Sequence, residues 1–132
     1  MHSWEKSHTN EILTQLENHR GIVVFSTNDI DSLDHAVLRR FGFKIRFNPL
    51  TPEGTILLYQ NMILPLVQND GDLTSAHKER LKAIQNLTPG DFAVVRNQSM
   101  LLGSRPVSHE KMITELENEV GYKKQMVKAI GF

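Results

Sequence analysis

The chain has 132 residues, with 15 lysines and arginines matched by 15 aspartates and glutamates, and no cysteine. That length suits one domain or two small subdomains, and folding hides roughly two-thirds of the unfolded surface. The balanced charge does not point to nucleic acid or an anionic membrane, and the missing cysteines exclude disulfides, thiolate metal sites and a cysteine nucleophile.

In chain order, residues 8–19 place Ile12, Leu13 and Leu16 at helical spacing, with Gly21 as a stop. GIVVFS (21–26) is a continuous, β-branched apolar run, as expected of a strand buried on both faces of a parallel sheet. TNDID (27–31) is a polar loop at its end. Asp31 or Ser32 can cap a short helix, LDHAVLRR, with Leu33, Ala36, Val37 and Arg40 on about one side. FKIRF (43–47) alternates Phe43, Ile45 and Phe47 with Lys44 and Arg46, the period of a strand covered on one face. Two strands make a marginal sheet, so residues 8–48 read as the end of a larger α/β layer.

After Asn48 only helices are expected. NPLTPEG is a linker in which Thr51 caps and Pro52 takes the first helical position of a helix running to Pro65. A second helix runs from Thr74 or Ser75 to about Asn86, with Leu81 and Ile84 inward. A third starts at Thr88-Pro89-Gly90-Asp91 and is broken by GSRPV (103–107). The last starts at Ser108 and carries Met112, Ile113, Leu116, Val120, Met126, Val127 and Ile130, with Gly131 as its stop. The fold class is thus α/β followed by all-α, divided at 48/49.

Two stretches carry candidate chemistry. VVFSTN (23–28) puts Thr27 and Asn28 where open α/β sheets bind ligands, at a strand's carboxyl end; the same residues also suit an ordinary turn. LDHAVLRRF (33–41) ends in Arg39 and Arg40, whose planar forks match phosphate; a helix C-terminus alone also favours them. The histidines at 2, 8, 19, 35, 77 and 109 show no i, i+4 pair and no HExxH, so they are expected at exposed helix ends and not as metal ligands. No G-x-S-x-G elbow supports hydrolase chemistry. No apolar run approaches ~18 residues, and the polar start MHSWEKSHTN lacks the apolar core of a secretion signal, so cytoplasm is the expected compartment.

Taken together, helix, GI-apolar-STN, LD-x-A-x-LRRF and a short strand resemble the second half of the AAA+ ATPase module. SWEKSHTNEILTQLE (3–17) resembles the helix after the Walker B strand of bacterial members, LTPGDFA (87–93) the start of the sensor-2 lid helix, and KKQMVKAIGF their C-terminal ending. The resemblance covers nearly the whole chain, sharply over 3–48 and 87–93 and loosely over 53–86. It implies that Asn28, with Thr27 beside it, acts as sensor 1 at the γ-phosphate and attacking water. Arg39 and Arg40 correspond to the arginine-finger pair that reaches the neighbouring subunit's nucleotide. Asp34 corresponds to a structural acid, Gly90 and Asp91 to the turn near adenine and ribose, and Ile56 and Gln60 to the base side. The same resemblance implies ATP with Mg2+ in an intact parent, a homo-oligomeric ring, expected to be a hexamer, and remodelling of a protein substrate.

The departures are as informative. No G-x-x-x-x-G-K-[ST] occurs, and no apolar strand ends in Asp-Glu, so the phosphate cradle and the magnesium-binding acids are missing. The expectation is a fragment of an AAA+ ATPase that is inactive alone and binds no cofactor by itself. The alternative is a short non-catalytic protein that docks on an AAA+ ring and modulates it. Neither reading involves nucleic acid or membrane.

Overall fold

The computed structural model describes residues 3–103 and 107–129. The chain forms two compact units, Met1–Arg46 and Phe47–Phe132. Among the described residues every regular element is helical and no residue lies in a strand. This corrects the expected fold class: the end of a P-loop NTPase-type parallel sheet is not formed. GIVVFS and FKIRF are both irregular. The physical reason is that β structure needs a partner for every second backbone group, and high β-propensity cannot substitute for one. Neither segment makes a backbone–backbone hydrogen bond among the described residues.

The first unit contains α1 (Ser3–Asn18) and α2 (His35–Arg40). Leu13 and Leu16 of α1 are half-buried. α2 is capped by Asp34, not by Asp31 or Ser32 a few positions earlier: its Oδ1 accepts the Ala36 N–H at 3.1 Å. Val37 is the buried residue of α2. Phe25 and Phe41 stack obliquely, with ring centroids 6.0 Å apart.

The second unit is a helical bundle. Thr51 Oγ1 accepts the Gly54 N–H at 3.1 Å and Pro52 opens α3 (Pro52–Met62). Two short 3-10 turns follow, Leu64–Leu66 and Gln68–Asp70. α4 spans Ser75–Ala83, α5 Pro89–Leu101 and α6 His109–Ala129. Ser108 Oγ accepts the Lys111 N–H and starts α6. The break expected at GSRPV includes residues 104–106, and the ends of the last helix's stripe include Ile130 and Gly131; these lie outside the described residues, as does the side chain of Val127.

The core follows the helical period. Met112, Ile113, Leu116 and Val120 form one stripe of α6, and it clusters with Tyr59 of α3, Ile63 just after α3, Leu81 of α4, and Phe92 and Val95 of α5. Each such burial is worth about 1.5–3 kcal/mol relative to exposure. Arg80 ties α4 to α6 from outside: Nε and Nη2 bind both oxygens of Glu117 at 3.2 and 2.9 Å, and Nη1 binds Glu110. The hydrogen bond to Glu117 leads the causes that hold this guanidinium even more firmly charged than usual.

Among the described residues, one buried side-chain polar atom has no hydrogen-bond partner. Thr55 is buried on α3, and its Oγ1 makes no hydrogen bond among the described residues. Valine has the same shape, so Thr55→Val removes a desolvated hydroxyl without opening a cavity. The expected result is a gain of about 1 kcal/mol in unfolding free energy, read as a higher urea midpoint at unchanged slope.

Candidate functional site

The residues singled out from sequence fall into both units. Thr27, Asn28, Arg39 and Arg40 belong to the first, and Ile56, Gln60, Gly90 and Asp91 to the second.

In the first unit, Thr27 Oγ1 accepts the Asp29 N–H at 3.0 Å, and Ser32 Oγ donates to the Asp29 carbonyl at 3.0 Å. These bonds build a turn that leaves Asn28 exposed. Arg39 and Arg40 form the last two residues of α2, where the helix dipole favours cations. They are not equivalent. Arg40 Nη2 pairs with Glu17 Oε1 of α1 at 2.5 Å, both side chains about half exposed. Arg39 is exposed and makes no ion pair among the described residues. A surface pair of this kind contributes roughly 0–1 kcal/mol, so Glu17 biases Arg40 without locking it.

In the second unit, Asp91 is buried and its Oδ2 is fully engaged. It accepts from Thr88 N at 2.8 Å, Thr88 Oγ1 at 3.0 Å and Lys123 Nζ at 2.5 Å. Lys123 also donates to the Asn86 carbonyl. This carboxylate joins the start of α5 to α6 and satisfies the helix N-terminus. Gly90 is exposed, and a Cβ there would meet nothing closer than Thr88 Oγ1 at 3.5 Å, an ordinary contact. Ile56 is half-buried against the core, and Gln60 is exposed on α3. An open apolar groove of about 270 Å³ lies between α5 and α6, lined by Val95, Gln98, Leu101, Leu102, Lys111 and Glu115; it contains none of the residues singled out from sequence.

The sequence reading missed a buried polar cluster. His109, expected at an exposed helix end, is fully buried at the start of α6. Its Nε2 lies 2.9 Å from the Gly71 carbonyl and its Nδ1 2.9 Å from Tyr59 Oη. A carbonyl only accepts, so the neutral ring carries its proton on Nε2, and the Tyr59 hydroxyl donates to Nδ1. Gly71 presents its carbonyl from φ +77°, a conformation side chains disfavour. Asp70 Oδ2 accepts the His109 N–H at 2.7 Å, and the His77 ring packs on His109 at 5.1 Å. His77 Nε2 faces Glu110. His19 and His35 are exposed as expected. Among the described residues no group of three acids or histidines could hold a metal ion, and no helix is long and apolar enough to cross a membrane.

Burial first, and then the charge of Asp70, push the Tyr59 hydroxyl well above its ordinary value near 10. The folded state therefore holds this proton more tightly than the unfolded chain. The stability it contributes is complete below about pH 10 and is lost as pH rises through the raised folded value. Urea midpoints should fall steeply from pH 10 upward, and Tyr59→Phe should flatten that dependence while lowering stability at neutral pH.

No protein-family model, curated protein or solved structure matches this chain.

Proposed function

We propose that this chain supplies the sensor-1, arginine-finger and lid elements of an AAA+ ATPase. The observation that carries the reading is the state of α2: a six-residue helix, capped by Asp34, ends in two arginines, and Arg39 is held out to solvent without an ion-pair partner among the described residues. A fixed, exposed guanidinium suits a phosphoryl group on another subunit. Asn28 lies in the same unit, exposed on a turn, as a water- or phosphate-orienting side chain requires. The reading rests on these side chains and on the helical unit; it requires no sheet within this chain alone.

In this reading ATP and Mg2+ are held by a phosphate loop and acidic residues that this sequence does not contain. Arg39 and Arg40 act across the interface of a cytoplasmic ring, a hexamer, and movement of the helical unit couples hydrolysis to remodelling of a protein substrate. Asp91 then serves the site by fixing the start of α5, with Gly90 as the place of close backbone approach. The experiment is to sequence the coding DNA upstream of Met1 in the same frame. A G-x-x-x-x-G-K-[ST] loop and an apolar strand ending in Asp-Glu, without an intervening stop, support the ATPase reading. A stop followed by a native start at Met1 overturns it in favour of a docking modulator, a role that the self-contained core of the helical unit would also suit.

A further inference from the structure

The irregular segments of the first unit carry a surface of unusual composition. Ile22 is 93% exposed, Val24 89%, Phe43 92% and Ile45 78%. Monomers do not ordinarily concentrate four large apolar side chains of this exposure in two short segments. The same segments have no backbone–backbone hydrogen bond among the described residues. Both deficits, apolar area and unpaired backbone, are met by one event: pairing with another chain along the backbone.

We propose that the occupant is a second copy of this chain, and that the two copies exchange segments, residues 22–25 of each pairing with residues 43–46 of the other. Three observations select this arrangement. The four side chains offer on the order of 500–700 Å² per copy, near the ~800 Å² per partner of a stable interface. Charge disfavours pairing like with like, because 43–46 against itself sets Lys44 and Arg46 beside their own copies. Residues 22–25 carry no charge, and the exposed acids Asp29 and Asp31 follow them, so exchange sets the basic segment against a neutral one with acids close by. Exchange is also two-fold symmetric, which closes the assembly at two copies and leaves no apolar segment over for a third. The proposal concerns this chain alone and does not depend on the ATPase reading.

The test is mass in solution, by light scattering or sedimentation, across roughly 1–200 µM, a range that brackets a micromolar affinity, with hydrogen exchange read at both ends. The expected result is a shift from monomer to twice the monomer mass, with slowed exchange at both 22–25 and 43–46. Val24→Asp and Ile45→Asp should each hold the chain monomeric. Both positions are exposed in the single chain, so the helical circular-dichroism signal should not change. Lys44→Glu with Arg46→Glu should weaken dimerisation, because it sets acids close to Asp29 and Asp31 of the other copy; dimerisation that is unchanged or tighter overturns the exchange geometry. A chain that stays monomeric throughout overturns the proposal, as does association that the two aspartate variants do not weaken, open-ended growth beyond two copies, or pairing seen only with strands of a different protein.

Discussion

Replacing His109 with alanine unfolds the helical unit under conditions where the wild type is folded. His109 is fully buried, and both its ring nitrogens are used, one by Tyr59 and one by the Gly71 carbonyl. The substitution leaves a cavity beside Tyr59, strands the Tyr59 hydroxyl without an acceptor and removes the ring on which His77 packs. Cavity and stranded polar groups together cost roughly 3–5 kcal/mol, against a total of about 5–15 kcal/mol for an ordinary domain. Tyr59→Phe is the milder half of the pair. It removes the donor but keeps the ring, and should cost about 1–3 kcal/mol. Urea unfolding of both single variants and the double variant measures their coupling. A double variant no less stable than His109→Ala alone shows that Tyr59's hydroxyl acts through His109; strict additivity excludes it.

The parts of this molecule that sequence predicts well are those decided within a few residues. Thr51 with Pro52, the Thr88–Asp91 start of α5 and Ser108 before α6 are caps, and a cap is made by side chains within three positions of the backbone they satisfy. The Met112–Val120 stripe is likewise local, because a period of 3.6 needs no knowledge of what covers it. The same stripe misleads at Met126, which is 65% exposed: the period continues along α6, but the covering helices do not. GIVVFS and FKIRF fail for a stronger reason. Their composition reports a readiness to pair, and pairing is settled by partners at a distance, of which the described residues offer none. His109 was hidden because its burial is created by Tyr59, fifty residues away, and by a glycine carbonyl at 71. Asp91 was legible as a capping acid, but Lys123, the cation that ties it to α6, lies thirty-two residues on.

On the ATPase reading proposed above, Arg39→Ala in the assembled ring should lower kcat by roughly 10³–10⁵, the range an arginine finger supplies, with little change in ATP affinity. Arg40→Ala should cost less, because Arg40 is already paired with Glu17 of its own chain. Glu17→Gln releases that hold and should narrow the difference between the two arginine variants; if it leaves the difference untouched, the ion pair has no part in it. On that reading, the assembly for this test is the longer chain that would supply the phosphate loop. The decisive arrangement mixes two inactive proteins, Arg39→Ala subunits and subunits disabled in the phosphate loop. Where a subunit with an intact loop meets a neighbour with an intact Arg39, a complete site re-forms, and turnover should return in the mixture. Recovery fixes the arginine as a group acting across the interface. A mixture that stays inactive, from proteins shown to co-assemble, places Arg39 in its own subunit's site or outside the chemistry altogether, and the geometry of α2 then has to be explained by binding alone.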